Sequence, residues 1–255
     1  VLNLASSGDK IVSSSEIYGG TYNLFNVTLK RMGIDCIFVD PDDTDGLEKA
    51  VKTKGVRAVF GETLANPALK VLDIEKWAKT AHGANVPLIV DNTFATPVLC
   101  RPFEFGADIV IHSTSKYMDG HAVSLGGVIV DGGRFDYKKG GFKQFTEPDE
   151  SYHGVVYTES FKDAPFVTKA RVQLMRDLGS MISPMNAFLL NLGLETLHLR
   201  MPQHCRNAQK VAEYLSKNEK VAWVNYCGLP DNKYYSLAQK YMPNGSCGVI
   251  SFGLK

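Results

Sequence analysis

The stretch Ala107-Asp-Ile-Val-Ile-His-Ser-Thr-Ser-Lys-Tyr117 decides how this chain is read. An apolar run, Ile109 to Ile111, stops in a cluster of hydroxyls and one lysine, Lys116. A buried strand that ends in this way sets small hydrogen-bonding groups and an amine at the mouth of a sheet. In open α/β sheets that mouth is where ligands bind. Hydroxyls suit a phosphate, and an amine in a partly desolvated site becomes a nucleophile. The combination points to a lysine that carries an aldehyde cofactor.

Outward from this strand, short apolar runs alternate with amphipathic segments. Lys10-Ile-Val-Ser-Ser14, Asp35–Asp40, Val56–Phe60, Pro87–Asp91, Asp108–His112 and Gly126–Val130 read as strands, with helical patterns at Gly19–Arg31, Leu47–Lys54 and Leu69–His82. The runs lack strict alternation, as expected when helices cover both faces of a sheet. The expected fold is therefore α/β with a mostly parallel central sheet. In the last of these helical patterns Leu72, Ile74, Trp77, Ala78 and Ala81 make an inward stripe.

From Asp131 to about Met181 the texture turns to Gly, aromatic and charged residues, too aromatic for a disordered linker. It is expected to be an ordered excursion near the site. A long helical stretch follows, Pro184–Ser216, which Pro202 is expected to kink or break. Strands at Val221–Tyr226 and Gly248–Gly253 then belong to a second unit. The expected division is a large domain over 1–200 and the start of a smaller α/β domain over 201–255. Both ends read as cut: the chain opens as if inside a helix and closes as if inside a strand.

The totals exclude several classes of function. At 255 residues, 44% hydrophobic and 22% charged, with a net charge of +1, the chain has the composition of a globular protein with no nucleic-acid footprint. Lys138, Lys139 and Lys143 form its densest basic patch and read as a solvated loop. Five widely spaced cysteines without a CxxC pair suit reduced thiols in the cytoplasm. There is no membrane-length apolar run and no signal-peptide pattern, so no membrane partner is expected. The six histidines lack metal-ligand spacing, and no metal is expected. His121 and His153 flank the region of interest and read as structural by default. Gly-x-Ser-x-Gly and Gly-x-Gly-x-x-Gly are both absent.

Three residues have two readings each. Asp91 ends an apolar run; it either caps a turn or pairs with a protonated pyridine nitrogen, and Lys116 on a neighbouring strand favours the second. Tyr18, before Gly19-Gly20-Thr21, is either a core tyrosine or a ring lying flat on a planar cofactor. Asn66, before Pro67, either makes a turn or aims an amide at the cofactor.

Taken together, Tyr18-Gly-Gly-Thr21, Glu62-Thr-Leu-Ala-Asn-Pro67, Val90-Asp-Asn-Thr-Phe94, His112-Ser-Thr-Ser-Lys-Tyr117, Gly120-His121 and Gly193-Leu-Glu-Thr-Leu197 resemble the Cys/Met-metabolism family of fold-type-I pyridoxal 5'-phosphate (PLP) enzymes. The resemblance covers essentially the whole chain. It implies that Lys116 forms the Schiff base with PLP, Asp91 pairs with the pyridine nitrogen and Tyr18 stacks on the ring. Ser113 and Ser115 would bind phosphate, Asn66 would contact the ring oxygen and Thr93 would lie beside the cofactor. The family usually has Thr where this chain has Ser115.

Phe145–Gly154 and Tyr22–Phe25 are most similar to the O-acetylhomoserine sulfhydrylase branch. That implies γ-replacement on O-acetyl-L-homoserine with sulfide, giving homocysteine and acetate in methionine and cysteine biosynthesis. The partners implied are an amino-acid substrate, sulfide or a thiol, and further copies in a homodimer or homotetramer with shared active sites. The alternatives are a methionine γ-lyase, a cystathionine γ-synthase or γ-lyase, or a PLP-fold module without catalysis. The family's upstream phosphate loop, its N-terminal Tyr and Arg, and its downstream carboxylate-binding Arg have no counterpart in these residues.

Overall fold

The apolar runs become strands, with ends close to those expected. A computed structural model describes residues 1–255, in which β1 (Lys10–Ser14), β2 (Asp35–Val39), β3 (Val56–Glu62), β4 (Leu88–Asp91), β5 (Ile109–Ser113) and β6 (Gly127–Asp131) form one sheet. The order is β2-β1-β3-β4-β5-β6. β1 to β5 run parallel and β6 closes the edge antiparallel to β5.

Side chains alternate between two cores. Val12, Val59, Val90 and Val110 face one side with Leu47 and Trp77, while Ile11, Ala58, Phe60, Ile89 and Ile109 face the other with Phe25 and Leu29. The chain leaving β1 thus packs on one face, through the helical run Gly19–Arg31. The chain leaving β3 packs on the other, through the helix Ile74–Gly83. That divergence between neighbouring strands opens a crevice at their carboxyl ends, the place where doubly wound sheets take ligands.

Two expectations need correction. The stripe Leu72, Ile74, Trp77, Ala78 and Ala81 is buried as expected, but the helix starts only at Ile74, where the Asp73 side chain caps the Lys76 amide. Pro202 does not break its helix, which runs unbroken over Leu197–Ser216. The break lies at Thr196, between that helix and Pro184–Glu195, because Pro202 sits within two turns of the helix start and removes a single backbone donor.

The aromatic excursion is ordered, but it packs away from the strand ends expected to carry the site. Tyr137, Phe142, Phe145, Tyr157 and Phe166 fill the second core, and the Arg57 guanidinium, at the start of β3, lies 3.9 Å from the centre of the Phe142 ring. Beyond it, β7 (Val221–Asn225) and β8 (Ser251–Leu254) pair antiparallel as a separate two-stranded sheet. No helix is long and apolar enough to cross a membrane.

Candidate active site

Parallel pairing brings the polar strand ends into register. Glu62, the last residue of β3, is the ladder partner of Asp91, the last of β4, and Asp91 is the partner of Ile111 in β5. Two residues on, β5 ends at Ser113, and the turn to Lys116 follows. A cavity of about 220 Å³ forms over these ends. It is lined by Tyr18, Glu62, Leu64, Asn66, Asp91, Thr93, Phe94, Ser113 and Lys116.

Six of the seven site residues expected from sequence therefore share one cavity. Ser115 does not line it. Its hydroxyl accepts the Gly126 amide at 3.0 Å and lies 3.3 Å from the Gly126 carbonyl, so it ties the turn that leads to Lys116 back to the start of β6. His121 and His153 also lie outside, and the region 131–181 contributes nothing to the lining. Lys116 itself is exposed, rather than in the partly desolvated setting expected for its amine.

The acids are fixed from within the chain. Asp91 Oδ1 accepts both the amide of Thr93, at 2.9 Å, and its hydroxyl. Thr93 Oγ1 in turn accepts the Ser113 amide at 2.8 Å, so one threonine links the ends of β4 and β5. Burial raises the Asp91 carboxyl above the usual range, against these hydrogen bonds.

Glu62 went unassigned in the sequence, although it lies in a quoted motif. It is only 8% exposed, and burial pushes its carboxyl up to about 8. The Tyr18 amide that donates to it opposes the rise, and the neighbouring Asp91 adds to it. An acid at a strand end looks like any turn cap; only the pairing of β1, β3 and β4 reveals its place.

The cavity thus offers an amine, a buried carboxylate at a strand end, a carboxamide, a hydroxyl and an exposed aromatic face. Residues 1–255 match, over their whole length, the family described as Cys/Met metabolism PLP-dependent enzyme. The chain belongs to this family.

Members of the family are similar throughout. O-acetyl-L-homoserine sulfhydrylase of Leptospira meyeri is 48% identical over 264 aligned residues, covering 100% of this chain and 60% of that protein. Homocysteine synthase of Schizosaccharomyces pombe is 49% identical over 255 residues, covering 99% and 59%. A Campylobacter jejuni structure described as an O-acetylhomoserine (thiol)-lyase, holding a pyridoxyl-lysine phosphate, superposes with a TM-score of 0.93 at 41% identity. It is matched over 100% of this chain and 64% of its own. The chain thus spans about three fifths of the length of the curated relatives it matches.

The family's cofactor, PLP, suits the donor set. Asp91 Oδ2 makes no hydrogen bond within the chain, so one carboxylate oxygen is available to a protonated ring nitrogen. Tyr18 is 53% exposed and lies over Gly20, where a Cβ would come within 2.5 Å of the ring.

Proposed function

We propose that the protein of which these residues are part replaces the γ-substituent of O-acetyl-L-homoserine with sulfide, releasing acetate and forming L-homocysteine. The observation that carries this reading is the meeting of Lys116, Asp91, Asn66, Tyr18, Thr93 and Ser113 on one cavity at the strand ends. The sulfhydrylase names of the relatives support the choice of substrate.

Bound PLP supplies an electron sink for charge developing at the amino acid's Cα. Around it, Lys116 holds the cofactor and moves protons at Cα and Cβ. Asp91, kept in place by Thr93, holds the positive charge of the ring nitrogen. Asn66 contacts the ring oxygen, Tyr18 covers the ring face, and Ser113 donates its hydroxyl to the phosphate. Ser115 shapes the turn that presents Lys116, and any phosphate contact from it would share a hydroxyl already committed to Gly126. The same reading places the protein in the cytoplasm as a homodimer or homotetramer. It also makes β7 and β8 the opening of a smaller second domain, from about residue 201.

The test is turnover of O-acetylhomoserine with sulfide by the wild type and by Lys116→Ala. Homocysteine formed by the wild type alone supports the reading, and equal rates in the two sink it. Oxoacid release from methionine or cysteine as lone substrate, without homocysteine synthesis, reassigns the reaction to a lyase. A bound chromophore without any turnover marks a module that holds cofactor and catalyses nothing.

A further inference from the structure

Glu62 reaches across the crevice between β1 and β3, where an ion pair of Lys70 with Glu16 at 3.4 Å also joins the two loops that follow these strands. Glu62 Oε1 accepts the Tyr18 amide at 2.7 Å, a contact between residues 44 apart in sequence. Both residues line the cavity, and they reach it along different paths. Tyr18 enters from the loop after β1, and Glu62 from the end of β3.

Little else fixes Tyr18. Its helix, Gly19–Asn23, has no side-chain cap and buries none of its own residues. The ring is exposed and rests over Gly20. The backbone tether to Glu62 is thus what sets the ring's position from the sheet side. Glu62 is itself held rigidly, since it is the last ladder residue of β3 and is paired with Asp91.

We propose that Glu62 is a positioning residue: by tying the amide of Tyr18 to the end of β3, it fixes the aromatic cover of the cofactor against the strand ends. This rests on the PLP reading above. Glu62 acts through Tyr18 and does not itself touch the reacting atoms.

Two variants and a control test it in the holoenzyme and in protein stripped of cofactor. Glu62→Ala removes both acceptors. Glu62→Gln keeps the size and one acceptor oxygen, so it guards against loss of folding. Hydrogen exchange at the Tyr18 amide reads the tether without cofactor. Titration with PLP reads the grip, and the absorption maximum of the bound cofactor reports the setting of its ring.

Glu62→Ala is expected to speed exchange at the Tyr18 amide and to weaken PLP binding by about tenfold or more, the scale of a buried donor left unsatisfied. Glu62→Gln should fall between Ala and the wild type. Phe142→Leu, a core change far from the cavity, should lower the melting temperature yet leave PLP affinity and absorption unchanged.

Unchanged exchange and unchanged affinity in both Glu62 variants overturn the inference. So does faster exchange with wild-type affinity, because the tether would then be structural only. If the wild-type protein takes up no PLP, the proposed function falls and this inference falls with it; the exchange arm still separates that case from a missing tether.

Discussion

Replacing Arg200 by methionine should loosen the turn that presents Lys116. Arg200 lies in the helix Leu197–Ser216 and reaches across to the sheet. Its Nη1 donates to the Tyr117 carbonyl at 2.8 Å and its Nη2 to the Gly193 carbonyl at 2.7 Å, with Met118 O farther away at 3.4 Å. Nε donates to Thr196 Oγ1 at 3.0 Å. One guanidinium therefore joins the two residues after Lys116 to both long helices.

Each charge-assisted bond of this kind is worth about 1.5–3 kcal/mol when buried. Arg200 is half-buried and water replaces part of what is lost, so a total of about 3 kcal/mol is expected for Arg200→Met. For a chain of this size that is a fall of about 6–12 °C in melting temperature. Arg200→Lys should recover only part, since an ammonium cannot reproduce the planar fork.

A misplaced Lys116 should also lower kcat more than it raises KM, because orientation matters most as the proton moves. Circular dichroism melting and steady-state kinetics at 25 °C read the two effects. An Arg200→Met protein melting within about 2 °C of the wild type, with unchanged kcat, would refute the reasoning.

Three further outcomes are expected. Thr93→Val keeps the shape but leaves the Ser113 amide without its acceptor and Asp91 with only the residue-93 amide as donor. It should cost about 1–3 kcal/mol in urea unfolding, and the higher Asp91 pKa should move the acid limb of the activity profile to higher pH. Gly193→Ala sets a Cβ 2.3 Å from the Asp119 carbonyl oxygen and 2.6 Å from that of Met118. Backbone must move, so melting should fall despite the gain of about 1 kcal/mol in helix propensity. Burial alone would raise the Asp149 carboxyl, but hydrogen bonds from Lys169 and Ser151 hold it down at about 2. Its folded pKa is depressed, so its stabilisation is present above about 4 and is lost as pH falls towards 2; unfolding midpoints measured across that range should lose this slope in Lys169→Met.

Much of the fold was legible because burial on both faces leaves a plain mark. β1 begins and ends where its apolar run does, and β2 to β6 lie within two residues of expectation. Lys116 and Asp91 were legible for the same reason, as polar residues closing apolar runs. Ser115 reads no differently from Ser113, yet its hydroxyl is taken by Gly126, eleven residues on, and no local pattern carries that pairing. Arg200 looked like any charged residue on a helix; two of its partners are carbonyls more than eighty residues away. The aromatic run at 131–181 suggested a site, but aromatic side chains serve a core equally well, and here they fill one.

Glu62 and Asp91 together say what kind of ligand the cavity favours. They are cross-strand neighbours, both raised by burial, and each ionises less readily for the other's presence or for want of water. The Tyr18 amide satisfies one oxygen of the first carboxyl and Thr93 satisfies one oxygen of the other. What remains is a partly desolvated Asp91 oxygen with no cation of the chain paired to it, since Lys116 forms no ion pair with either acid. A neutral or anionic ring set against that oxygen would leave it unpaired at a cost of a few kcal/mol. A ring carrying a proton on its nitrogen removes the cost, and the attraction in turn keeps the proton there. The free Asp91 oxygen thus favours a planar ring that carries a proton on its nitrogen, which is the ligand chemistry the proposed function requires.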